Sequence, residues 1–420
     1  MPHTPGVRAV PLCLTFLLCF AGAAGSSKNS AENPGDSPVC KQVPAILTEL
    51  TAITGMKLHH PVPCALITKD DVNKFLKDRV KEVADPNEIR AEELTLKKFG
   101  FVPAGFDLEK NTVDLLTEQA AAFYDYNKKK LFLTESTSTD SQEPVLAHEL
   151  AHALADQNYN LAKFIRQGRK SDDGSTARLA VMEGQATWLM SEFLARRNGQ
   201  SLKNSPGLVD AMSKLSDSSG GQYPVFETEP LYLRETLVFP YTKGMLFQNA
   251  VFQRDGQKSF GEVFEHAPVS TQQIMQPETY FKDIKPADPK LPDPKLPHGY
   301  KGLLGGSLGE LEHHILLTQY LDAASAEEIA PHWRGCNFEL VENKKAGRVL
   351  LLYAVEWDSE DIARRYFEAY RQVMKKKWKQ MTVTSDSVDQ LNGSGDDGRF
   401  ELRRIGAVVT SVEGLEPAVN

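Results

Sequence analysis

Residues 145–154 read V-L-A-H-E-L-A-H-A-L and place His148, Glu149 and His152 in the spacing H-E-x-x-H. On a helix, positions i and i+4 share a face, so two imidazoles converge on one point with the glutamate beside it. The flanks favour burial. Between Gln142 and Asp156 the only other charged residues are Glu143 and Asp156, which predicts a helix covered on most sides with Pro144 in its first turn. The competing reading is a pair of core histidines satisfied by neighbours, with no metal between them.

A catalytic zinc ion takes three protein ligands and leaves one position for water, so a third ligand is required. A metzincin would continue H-E-x-x-H-x-x-G-x-x-H, but no histidine follows His152 until His266. A second helix with a glutamate remains. The segment 176–197 supplies Glu183 among Val181, Met182, Ala186, Trp188 and Leu189, where an unpaired carboxylate is costly. Glu192 is the rival on the same helix. Its neighbours Ser191, Arg196 and Arg197 suit a solvated, salt-bridged carboxylate instead.

H-E-L-A-H followed by M-E-G-Q-A-T resembles the gluzincin group of zinc peptidases, to which the thermolysin-like enzymes belong, and within it the poorly characterised secreted bacterial members. Four further stretches carry the resemblance: F-Y-D at 123–125, P-Y-T-K-G at 240–244, P-V-S-T-Q-Q-I-M-Q-P-E-T-Y at 268–280 and L-G-E at 308–310. It spans roughly residue 43 to the C-terminus. The chain departs from the pattern at Gln276, where relatives carry histidine, and at Thr187, where thermolysin-like enzymes carry aspartate. The resemblance implies one Zn²⁺ per chain held by His148, His152 and Glu183.

Zinc acidifies its bound water, and Glu149 is placed to take that proton and deliver it to a leaving amine. Gluzincins commonly add a downstream tyrosine or histidine as a second electrophile, and Tyr241 is the candidate here, against an interfacial tyrosine after a turn. Asp156, one helical turn beyond His152, is either a partner of a ligand imidazole or an exposed helix-end acid. Residues 119–133 read as two short strands about an Asn-Lys turn. An edge strand there offers main-chain hydrogen bonds to an extended peptide.

Residues 10–24 form an apolar run behind Arg8 ending in A-G-A-A-G, the pattern of a signal peptide over 1–24 and too short to span a bilayer. A polar, disordered lead-in is expected over 25–40. Without the leader the formal charge changes from −8 to −9 as Arg8 is lost, which excludes nucleic acid as a partner. Cys40, Cys64 and Cys336 remain. In an oxidising compartment Cys40 and Cys64 are the natural pair, although three thiols establish no bridge.

The expected domains are a zinc metallopeptidase domain over 41–286, a Pro-rich linker over 287–298 with the doubled D-P-K-L-P, and a small α+β domain over 299–420. In the last, helices are expected at 308–320 and 359–377 and strands at 349–356, 400–404 and 407–412. G-G-S-L-G at 305–309 matches the serine-hydrolase elbow, but Ser307 and Glu310 suit a helix capping box and no strand is expected before them. K-K-K-W-K at 375–379 fits cations at a helix C-terminus. The pairs His59/His60 and His313/His314 point apart and default to the surface. Residues 216–221 are a candidate lid.

The combined expectation is an α+β protein: a mainly helical zincin-type catalytic domain with a short edge-strand sheet, plus the C-terminal α+β domain. Its function would be a secreted or periplasmic zinc metallopeptidase acting on peptide or protein substrates. The alternative is a catalytically inactive, metal-stabilised envelope scaffold.

Overall fold

The computed structural model describes residues 37–75, 85–119, 121–135, 137, 139–169, 171–217 and 223–416. The expected leader and most of the lead-in lie outside the described residues, as do residues 218–221 of the candidate lid. Residues 37–42 already form turn and 3₁₀ structure, with Val39 and Cys40 buried. Cys40 is disulfide-bonded to Cys64. The bond ties the entry of helix α1 (Val43–Thr54) to the first residue of strand β1 (Cys64–Ile67). Cys336 is a buried free thiol.

Helices α2 (Pro86–Phe99) and α3 (Leu108–Gln119) lead to strands β2 (Ala122–Asp125) and β3 (Lys130–Thr134), which are the two short strands expected from the sequence. β3 lies between β1, parallel to it, and β2, antiparallel to it. The intervening turn forms because Asp125 Oδ1 accepts the N–H groups of Asn127 and Lys128, both at 3.0 Å. β2 is thus an edge strand among the described residues.

Helix α4 (Thr139–Tyr159) carries the H-E-x-x-H motif and packs on this sheet. It begins five residues before Pro144, so the proline sits inside the helix and not in its first turn. Asn160, with φ of 51°, breaks the chain into α5 (Leu161–Gly168). α6 (Asp172–Arg197) starts at Ser171, whose Oγ accepts the Gly174 N–H, and it carries Asp172 and Asp173 at its positive end and Arg196 and Arg197 at its negative end. α7 (Leu231–Asp255) packs against α6 over much of its length. A Cβ on Gly184 would stand 2.0 Å from the Gly244 carbonyl carbon, and one on Gly244 would stand 2.2 Å from the Ala180 oxygen. Only glycine permits so close a crossing. The crossing draws Glu183 and Tyr241, each near one of these glycines, to the same junction.

The C-terminal part holds strand β4 (Lys301–Gly306), helix α8 (Glu310–Tyr320), strands β5 (Trp333–Asn343) and β6 (Arg348–Trp357), helix α9 (Glu360–Lys377), and strands β7 (Thr382–Asp386), β8 (Gln390–Gly395), β9 (Gly398–Ile405) and β10 (Val408–Leu415). The sheet is antiparallel in the order β4-β5-β6-β10-β9-β8-β7. α9 buries Ile362, Tyr366, Phe367, Tyr370, Val373 and Met374, a helical stripe. β4 and β7 escape a pattern reading because one is half glycine and the other is exposed at every residue. The capping expectation at Ser307 fails: α8 starts two residues later, and Glu312 accepts the Gly309 N–H at 2.7 Å.

The molecule is α+β, mainly helical before residue 300 and sheet-rich after it. One apolar core runs from Val39 to Val409 through both parts, with Phe99 of α2 set edge-on to Phe338 and Tyr353. Residues 284–297 carry no regular structure. Their course is fixed by the Ala287 N–H on Arg334 O at 2.7 Å and by Leu291 and Leu296 packed against Val341, Leu350 and Val412.

Candidate metal centre

α4 and α6 cross so that His148, His152 and Glu183 face one another. His148 Nε2 lies 2.9 Å from Glu183 Oε2, His152 Nε2 lies 3.3 Å from Glu183 Oε1, and the two Nε2 atoms are 3.2 Å apart. One donor atom from each residue fits within 4.8 Å of the others, the one such His/Cys/Asp/Glu group among the described residues. Ligands about 2.0–2.1 Å from a tetrahedral ion stand roughly 3.3 Å apart, so the donors already have the spacing that such an ion needs.

The electrostatics ask for a cation. Burial alone would raise the Glu183 pKa, but the charges and hydrogen bonds of the two imidazoles outweigh it and hold the carboxyl down at about 2. Burial alone would likewise keep His152 neutral, yet Glu183 first, then Glu149 and Asp156, raise its pKa above the ordinary imidazole value. A buried anion thus draws positive charge onto the His152 ring. Glu183 Oε1 is sealed from solvent and makes no well-formed hydrogen bond, with His152 Nε2 3.3 Å away, so it is an acceptor that a metal ion would satisfy. The donor set, two imidazoles and a carboxylate, suits a divalent ion such as zinc.

Glu149 stands next to the cluster. Burial pushes its pKa up while both imidazoles pull it down, and the net shift is upward. The Tyr124 N–H of edge strand β2 opposes that rise slightly, and β2 packs against the helix that carries Glu149. The Tyr241 ring stacks on that of His148 with centroids 6.0 Å apart and planes 27° apart. Burial and then the charges of Glu183 and Glu149 keep its phenol protonated, so it can donate a hydrogen bond.

Asp156 is neither an imidazole's hydrogen-bond partner nor an exposed helix-end acid. It is buried, accepting from Tyr124 Oη at 3.0 Å, Lys129 Nζ at 2.6 Å and the Leu161 N–H at 3.1 Å. It fastens the end of α4 to the β2–β3 hairpin. Tyr124 therefore serves the site twice, through its N–H and its phenol, a role that the F-Y-D string alone does not reveal. Glu192 is buried rather than solvated, bonded to Arg196 at 2.7 Å, to Ser201 and to the Leu202 N–H. It takes no part in the cluster.

His313 is fully buried between Gly309 O and Tyr353 Oη, against its default to the surface. A strand does precede Ser307, but the hydroxyl meets Ser171 Oγ at 3.2 Å instead of a histidine, so the elbow lacks a base. The two other quoted stretches meet each other. Gln276 Nε2 donates to Glu310 Oε2 at 2.6 Å, and Asp173 Oδ1 accepts both the N–H and the hydroxyl of Thr271 at 2.8 and 2.6 Å. A Cβ on Gly309 would stand 1.9 Å from Asp173 Oδ1, which accounts for the glycine of L-G-E.

Residues 106–197 match the family described as the IrrE N-terminal-like domain (Peptidase_M78), and residues 301–420 match a domain of unknown function (DUF8575). No curated protein and no solved structure matches the chain. The first match covers α4 and α6 whole, with both histidines, Glu149 and Glu183. It supports a metal-dependent, peptidase-type hydrolase.

Proposed function

We propose that the chain is an exported zinc metallopeptidase of gluzincin type, in which His148, His152 and Glu183 hold one zinc ion and Glu149 is the general base. The observation that carries this reading is the convergence of two imidazole nitrogens and one carboxylate oxygen at ligand spacing, with a second glutamate beside them. When bound, the ion would polarise the scissile carbonyl and acidify a water molecule. Glu149 takes the proton from the attacking water and returns it to the leaving amine; its raised pKa suits both steps. The Tyr241 phenol, protonated and beside His148, donates a hydrogen bond to the developing oxyanion. Strand β2 offers its free edge to an extended peptide.

Residues 41–286 form the catalytic unit in this reading, 287–298 its linker, and 299–420 a flanking domain that shapes substrate access. The Cys40–Cys64 disulfide supports an oxidising, extracytoplasmic location. Among the described residues no helix is long and apolar enough to cross a membrane.

The test pairs metal analysis with peptide cleavage on the wild type, Glu149→Gln and Glu183→Ala. The wild type should carry about one zinc per chain. Glu149→Gln should keep it while cleavage falls about 10²- to 10⁴-fold. A wild type that takes up no zinc, or a Glu149→Gln protein that cleaves like it, overturns the reading in favour of a scaffold or core histidines.

A further inference from the structure

Helix α7 carries a cation that the fold leaves unanswered. Arg234 is half-buried, and its Nε is sealed from solvent with no hydrogen-bond partner. Among the described residues its guanidinium has no ion pair, hydrogen bond or aromatic ring against it. Arg404 also has a sealed Nε, but its terminal nitrogens hold Asp389 and Gly406 O. Arg178, similarly placed in part, bonds Phe164 O and lies over the Phe164 ring. Arg234 has none of these compensations. Glu229, five residues back along the chain, does not pair with it, since its Oε2 is itself buried without a partner.

Such an arrangement opposes stability. A partly desolvated guanidinium without an acceptor is costly, and the first turn of a helix is the unfavourable end for a positive charge. Its place on α7 supplies the missing reason. Arg234 precedes Tyr241 by seven residues, two turns along one helix face, or about 10 Å of helix axis. Tyr241 stacks on His148. Measured along the helix axis, Arg234 is thus separated from Tyr241 by a length that about three residues of extended peptide would span.

We propose that Arg234 is a specificity-determining residue that receives a carboxylate of the substrate about three residues from the scissile bond. The proposal rests on the peptidase reading above. A guanidinium presents a planar fork that matches a carboxylate with two hydrogen bonds, and partial burial strengthens them. In a chain of formal charge −8 an anionic substrate needs such a local cation to be held. The carboxylate comes from an Asp or Glu side chain or from the peptide's own C-terminus.

The test measures binding instead of turnover, using metal-loaded Glu149→Gln protein and fluorescein-labelled peptides. One set is amidated, with a Glu or a Gln scanned over the three positions on either side of a central bond. A second set is all-Gln with a free C-terminal carboxylate. A carboxylate-bearing peptide should bind about ten-fold tighter than its neutral counterpart, and the set in which this appears identifies the source. Adding Arg234→Ala should bring that ratio close to one, whereas Arg234→Lys should keep part of it. Arg234→Met retains the aliphatic stem and replaces the alanine variant if the latter melts early.

The inference is overturned if no peptide binds, if carboxylate and amide peptides bind alike, or if the preference survives the loss of Arg234. The two readings fail separately. A wild type that cleaves peptides with no carboxylate preference sinks the role of Arg234 alone. A preference that vanishes with Arg234 in a protein whose wild type cleaves nothing sinks the peptidase reading alone.

Discussion

Glu183 and Glu310 are the same residue at the same depth, each 1% exposed, yet they are driven in opposite directions. Glu183 is held at about 2 and Glu310 is pushed up to about 8. Burial acts upward on both, so burial cannot decide between them. The difference is the company each keeps. Glu183 faces two imidazoles, whereas Glu310 sits near Asp173 and is relieved only by the amides of Gln276 and Gln272 and by Lys243. Glu312 is raised by burial and by Asp173, and Asp172 by burial and by both of these acids. The first region is an anion awaiting a cation; the second is a set of carboxyls whose burial and mutual repulsion favour their protonated forms.

The same isosteric change should therefore have opposite consequences in the two regions. Glu183→Gln removes the charge that draws cations to the imidazoles, and bound metal should fall from about one ion per chain to a small fraction of that. Glu310→Gln replaces a carboxyl that is already neutral near pH 7, so metal content should not change. Metal analysis of the two variants side by side checks both halves. If Glu183→Gln keeps its metal, the third ligand lies elsewhere and the contrast is lost.

The glycine crossing that builds the first region gives the next effect. Gly184→Ala drives a methyl into the Gly244 backbone, which cannot yield as a flexible side chain does. It should cost roughly 2–3 kcal/mol in denaturant unfolding. Metal affinity should also fall, because the helix that presents Glu183 must move away from α7. An alanine variant as stable as the wild type would mean that the helices can separate freely and that the crossing positions nothing.

The acid junction sharpens the comparison through pH. A carboxyl whose pKa is raised by folding contributes stability that is fully present below its unfolded pKa, about 4.5, and lost as pH rises through its folded value. Glu310, at about 8, thus predicts a melting temperature that falls steadily between about pH 5 and pH 8.5. Asp173 and Glu312, raised in the same direction, add to it. At about 1.4 kcal/mol per pKa unit the loss should reach several kcal/mol, and Glu310→Gln should flatten part of the slope. Calorimetry across that range decides the matter; a flat wild-type profile would show the junction ionised throughout.

The sequence made one of these regions readable and hid the other for a physical reason. His148, His152 and Glu149 stand within a single helical turn, and the apolar neighbours of Glu183 marked a carboxylate in need of a partner. The same argument misjudged Glu192, which is equally buried but is satisfied by Arg196, Ser201 and the Leu202 N–H, the last two beyond the helix end. The acid junction draws on residues near 173, 271, 276 and 310, so no single window of chain contains it. Strand β4 was hidden by its glycines, of which Gly306 faces Asp172 too closely for a Cβ. The α9 helix and strands β6, β9 and β10 were legible because their apolar periods match their structure.

The smallest effect lies where the metal centre joins its sheet. Tyr124 links β2 to α4 through its phenol on Asp156, while its N–H lies on the side of Glu149 and lowers that group's pKa slightly. Tyr124→Phe removes only the phenol bond. Lys129 and the Leu161 N–H still hold Asp156, so stability should drop by about 1 kcal/mol with metal content unchanged. If the hairpin is the scaffold that sets Glu149, the affinity for an extended peptide should weaken more than the loss of stability alone implies, because the edge strand and the general base lose their common tether. Peptide binding to metal-loaded Tyr124→Phe, read against its unfolding midpoint, separates the two. A binding loss no larger than that of a distant variant of equal stability would mean that Tyr124 serves the fold and not the site.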